Sequence, residues 1–198
     1  MAVRLRTRWH RSKRSQRNRE GSGKPKTLDS LASAAAINIW KLAKDSFLHM
    51  EKEEFTFPGD SQAIDVISEF SVYLLHIIDR MIYGRLPEEE RGPLINAIAG
   101  HLVETLVANK VDLLGPGDYR AEFIDRLNDR LGNYAECSFD DDGPGYDFNR
   151  YLGQKVAEVM ASGDNKWVVE QVMDIEAPEM AEKIRPVVRD VLGVKSDH

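Results

Sequence analysis

The chain has 198 residues, 42 % of them hydrophobic and 30 % charged, with a formal net charge of −6. That length fits one domain with a sizeable core, and Glu69 and Asp79 interrupt the most apolar segment well short of the ~18 residues a membrane span needs. The single cysteine, Cys137, excludes an intramolecular disulfide and suits a reducing, cytoplasmic setting; beside Glu136 and an acidic loop it reads as inert.

The net charge conceals a division. Up to Lys26 there are ten Lys and Arg against Glu20 alone, a net of +9, which leaves 17 basic and 32 acidic groups, a net of −15, in the rest. Residues 1–26 have little to bury, so a disordered basic arm is expected there. The segment has no apolar stretch of the secretory kind. Its arginine-rich, acid-poor composition also describes a mitochondrial transit peptide, but its apolar residues form no helical face. A solubility tail and an arm folded back on the acidic domain are further readings. The sharper one is contact with nucleic acid or another polyanion through Arg4, Arg6, Arg8, Arg11, Lys13, Arg14, Arg17 and Arg19, each neutralised phosphate releasing a counterion.

A first helix is expected from about Ser30 to Glu51, capped by Asp29 or Ser30, with Leu31, Ala35, Ile39, Leu42, Ala43, Phe47 and Met50 on one face. Pro58 and Gly59 break it. The stretch 61–86 then carries Ala63, Val66, Ile67, Phe70, Leu74, Ile77, Ile78 and Met81 at steps of three and four, with Val72, Leu75 and Ile82 on the flank. A helix apolar nearly all round is buried on several sides, so this one is expected at the centre of the fold, capped by Asp60 or Ser61. Its polar exceptions, Glu69, Tyr73, His76 and Arg80, share a narrow stripe, with Asp79 at the edge.

Pro87 followed by three glutamates reads as a helix start, and Pro93 predicts a kink or a second start there. Leu94, Ile95, Ile98, Leu102, Val103 and Leu106 carry the helix to about Asp112, antiparallel to the central one. After the turn at 114–118, Tyr119, Phe123, Leu127, Leu131 and Tyr134 mark a surface helix whose other positions are charged, with pairs such as Glu122 and Arg126. Residues 138–149 read as a long polar loop. A short helix to Gly163 follows, then one capped by Asp164, then a last one starting at Pro178, kinked by Pro186 and stopped by Gly193.

Two histidine–acid pairs, His76 with Asp79 and His101 with Glu104, recur at helical spacing. An antiparallel register that sets His76 level with His101 would bring two imidazoles and two carboxylates together as ligands for zinc or iron. The order is the reverse of the Glu-x-x-His pattern of bundle carboxylate sites, and satisfied core histidines explain the same residues. Asp140, Asp141, Asp142 and Gly143 do not fit a calcium loop, because Ser138 and Asn149 fall where acids are required. No phosphate-binding loop, dinucleotide-binding or hydrolase motif is present.

The sequence therefore predicts an all-α bundle of six to seven helices over 27–193, built on the antiparallel pair 61–86 and 88–112, with an arm at 1–26 and a short tail at 194–198. The expected function is a non-enzymatic interaction or adaptor module: the acidic domain binds a protein partner and the arm contacts a polyanion. The alternative is a metal-binding bundle or metal-dependent enzyme using His76, Asp79, His101 and Glu104. No other cofactor is implied.

Overall fold

The computed structural model describes residues 27–161 and 166–192. The arm 1–26, the stops at Gly163 and Gly193, the cap at Asp164 and the tail 194–198 all lie outside them. The described chain is almost entirely helical: α1 (Leu28–Lys52), α2 (Asp60–Ile82), α3 (Glu88–Leu114), α4 (Tyr119–Glu136), a minimal hairpin of β1 (Phe139–Asp140) and β2 (Gly143–Pro144), α5 (Tyr146–Val159), α6 (Val168–Gln171) and α7 (Ala177–Leu192). Among the described residues no helix is long and apolar enough to cross a membrane.

Helix α1 starts two residues earlier than expected because Thr27 is its cap: the Thr27 hydroxyl accepts from the Ser30 amide at 3.2 Å. The α1 face of Ala32, Ala35, Ala36, Ile39, Ala43, Phe47 and Met50 is fully buried, packed on α2, α3 and α7. Its alanines let those backbones approach closely. Helix α2 begins after Gly59, with no side-chain cap from Asp60 or Ser61. Every residue from Val66 to Ile78 is buried. Two core hydroxyls are satisfied within the helix, Ser68 donating to Ile64 O and Ser71 to Ile67 O. The helix ends at Ile82 rather than Leu86, since Gly84 takes a left-handed φ of 72° and closes the turn.

Pro87 caps α3 from outside instead of opening it, and α3 runs unbroken through Pro93. The chain is equally continuous through Pro178 and Pro186. A proline inside a helix strips one donor from the carbonyl four residues back. Here all three prolines, and the residues Glu89, Asp174 and Glu182 that own those carbonyls, are exposed, so water can take the missing donor's place. The separate start expected at Pro178 is replaced by a π-helical turn, Val172–Glu176, which joins α6 to α7 and ends with the Ala177 amide bonded to Val172 O.

The expected polar loop folds into the hairpin. Asp140 Oδ1 accepts from the amides of Asp142 and Gly143 at 2.9 and 3.2 Å, and Gly143 holds a φ of 117° that disfavours a side chain. Arg185 of α7 donates to the carbonyls of Asp141 and Asp142 and anchors the turn.

One contact ties α1 to the π turn. Glu176 is buried, and its Oε1 accepts from Gln171 Nε2 at 3.1 Å and lies 2.7 Å from His49 Nδ1. The hydrogen bond to Glu176 raises the His49 pKa above its ordinary 6.5, against the opposing pull of burial. Because the folded value lies above the unfolded one, the contact contributes in full below pH 6.5 and is lost as pH rises through the folded value. Urea unfolding of wild type and His49→Gln across that window is expected to show the wild-type advantage shrinking with rising pH. A pH-independent difference would contradict it.

Candidate functional site

The stripe on α2 stays together in space. It faces α4 and the segment after it in a repeating parallel register. Asp65 accepts from Arg126 at 3.2 Å, Glu69 from Arg130 at 2.8 and 3.1 Å, and the rings of Tyr73 and Tyr134 lie 6.2 Å apart. Each pair is separated by the same 61 positions. The spacing i, i+4 on both helices makes these three rungs of one ladder. Arg126 Nε lies a further 3.5 Å from Glu69, and Lys110 of α3 reaches Asp65 at 3.0 Å and Glu122 at 2.7 Å. The charged side of α4 is thus not all solvent-facing: Arg126 and Arg130 turn inward to a carboxylate that is 1 % exposed. A buried acid needs a paired, hydrogen-bonded cation, and two arginines four residues apart opposite Asp65 and Glu69 are the signal that announces it.

Above the charged rungs the contacts become aromatic. The Tyr73 hydroxyl donates to Asn149 Oδ1 at 2.8 Å, with Ala177 O at 3.2 Å. Burial raises its pKa, and that of Tyr134, well above the ordinary tyrosine value. Tyr134 also packs on Phe148, Tyr151 and His76, at ring separations of 4.5, 5.0 and 5.0 Å. Next along α2, Arg80 donates to Ala135 O and Cys137 O at 3.2 and 3.0 Å and lies over the Phe139 ring.

The ladder ends because α4 stops at Glu136 while α2 continues to Ile82. What remains is a cleft of about 210 Å³ lined by His76, Asp79, Arg80, Tyr83, Arg91, Leu131, Tyr134 and Ala135. His76 is 6 % exposed, and its Nε2 and the Tyr134 hydroxyl are buried without a hydrogen-bond partner. Arg91 closes one side, donating to Asp79 and, through Nε at 2.8 Å, to Glu88. At the mouth, Tyr83 and Leu131 are 69 % and 52 % exposed.

The four candidate metal ligands are not brought together. The connection at 83–87 does set α3 antiparallel to α2, as the Asp79–Arg91 and Asp65–Lys110 pairs show. The rotation of α3 differs from the expected register. It turns His101 toward α1, 3.1 Å from Asp29, and Glu104 toward Arg120 of α4. Asp79 is held by Arg91, and His76 faces Tyr134. Among the described residues no group of three or more His, Cys, Asp or Glu side chains could hold a metal ion. Of the cleft, sequence reasoning marked His76, Asp79 and Arg80. It missed Arg91, hidden in a run read only as a helix start. In the sequence Leu131 and Tyr134 read only as members of a surface-helix stripe, and Tyr83 carries no reading. Compared with protein-family models, curated proteins and solved structures, the chain matches none.

Burial lowers the His76 pKa from 6.5 to about 4, so the imidazole is neutral in the fold. Below the unfolded value the unfolded chain takes up a proton that the folded chain refuses. Stability is therefore lost as pH falls from 6.5 toward 4, by up to roughly 3 kcal/mol. Replacing His76 with Leu is expected to flatten that limb of the stability–pH curve in urea unfolding. An equally steep acid limb in the variant would contradict it.

Proposed function

We propose that the chain is a non-enzymatic interaction module, whose acidic helical domain binds a protein partner while the basic segment 1–26 contacts nucleic acid or another polyanion. The observation that supports the domain half of this reading is the cleft mouth: exposed Tyr83 and Leu131 beside Arg80 and Arg91. Tyr and Arg are the side chains that dominate binding energy at protein interfaces, where a rigid amphipathic ring and a planar donor fork meet a partner with little entropy to lose. The charges around the cleft also suit binding better than proton transfer. Arg91 is neutralised by Asp79 and Glu88, and Arg80 is anchored on backbone carbonyls. The charge division of +9 against −15 supports the other half.

Two measurements on the full chain test the two halves. A photo-crosslinking residue at Tyr83 is expected to yield a discrete heterologous adduct in cells, lost in Leu131→Glu. Adducts only with the chain itself, or none, would contradict the domain half. Replacing Arg4, Arg6, Arg8 and Arg11 by Gln is expected to reduce the salt dependence of duplex DNA binding by roughly 3 to 4 in the log–log slope. An unchanged slope would contradict the arm half.

A further inference from the structure

His76 lines the cleft, and its buried Nε2 has no hydrogen-bond partner. A buried polar group without a partner is costly, and native proteins keep few of them. His76 packs on the Tyr134 ring at 5.0 Å, and the other lining side chains are committed or apolar. Arg80 lines the same cleft. It makes no ion pair among the described residues, and its two carbonyl contacts occupy fewer than half of its N–H donors.

The surroundings restrict what could enter. Arg91 is matched by Asp79 and Glu88, so the cleft offers one uncompensated positive charge, not two. A dianion such as phosphate would meet the fields of those two carboxylates with a single cation to offset them. A cation would meet Arg80. A monoanion meets neither objection, and a carboxylate matches the planar fork of a guanidinium. The volume of about 210 Å³ lies below the roughly 300 Å³ at which pockets for drug-sized ligands begin. The apolar rim of Tyr83 and Leu131 asks for an aliphatic or aromatic body behind the charge.

We propose that the cleft between the end of α2 and the end of α4 is a binding site for a single carboxylate on a short apolar or aromatic body. Its carboxylate pairs with Arg80 and accepts from the His76 imidazole, and its body lies against Tyr83 and Leu131. The neutral state of His76 supports the assignment, because a neutral imidazole donates one N–H without adding charge. The same chemistry is offered by a free organic acid and by the C-terminal residue of a peptide. The site does not depend on the interaction-module reading, since a free acid would fill it without any protein partner.

The full-length protein, with its histidine rings labelled with nitrogen-15, is titrated with phenylacetate and 4-methylpentanoate, with short peptides ending in Phe or Leu, and with the amide of each. The expected result is a saturable shift of the His76 ring signals with carboxylates and none with the amides. In Leu131→Glu, a change at an exposed position that sets a like charge at the mouth, binding is expected to weaken about tenfold or more. Arg80→Gln is expected to abolish it, and the Leu131 variant keeps the test decisive if loss of the Arg80 anchor unfolds the protein. Saturation by free acids identifies a small-molecule site, and saturation by peptides alone a chain-terminus site. No shift with any carboxylate at millimolar concentration, equal shifts with acids and amides, or undiminished binding in Leu131→Glu would overturn the proposal.

Discussion

Glu69 is the constraint on which the arrangement of helices depends. A carboxylate at 1 % exposure in the middle of α2 would cost several kcal/mol to desolvate unless cations were brought to it. Arg130 meets it through two hydrogen bonds and Arg126 stands 3.5 Å away. Burial alone would lower the Arg130 pKa, but its hydrogen bonds to Glu69 and the charge there raise it overall. Pairs of this kind add little net stability against an apolar core, but they penalise every other register, because a slip leaves charge buried and alone. Asp65 and Lys110 extend the same constraint to α3, since the Lys110 ammonium bridges Asp65 of α2 and Glu122 of α4.

Once that register is set, the rest of the α2 stripe follows. One turn beyond Glu69, Tyr73 must meet Tyr134. One turn beyond that, α4 has ended, and the last turn of α2 borders the cleft. The cleft is thus the consequence of two helices of unequal reach sharing one charged ladder.

Much of the fold was legible in the amino-acid sequence, because burial leaves a periodic trace. The apolar faces of α1, α2 and α3 fall where the spacing places them, with Leu94, Ile98, Leu102, Val103 and Leu106 buried on α3. Less legible were features decided by tertiary context. Arg126 and Arg130 look like any exposed charges on a surface helix until a buried acid four residues from another is sought opposite them. Pro93 reads as a kink or a second start, Pro178 as a helix start and Pro186 as a kink, but the chain stays helical through all three, which lie at exposed positions. The metal set rested on helix rotation, which periodicity does not fix closely: His101 and Glu104 lie on α3 as expected but turn to Asp29 and Arg120. The cleft itself comes from where α4 stops, and the residues that line it come from three separate stretches of the chain.

The most direct measurement of this account is a double-mutant cycle between Glu69 and Arg130, using Glu69→Leu and Arg130→Met and urea unfolding at neutral pH. If the buried pair sets the register of α2 and α4, each single change takes from a buried charge its bidentate partner and costs about 3 to 5 kcal/mol. The double variant then loses less than the sum of the two, by about 1 to 3 kcal/mol. Single costs below about 1 kcal/mol, or strictly additive ones, would contradict it.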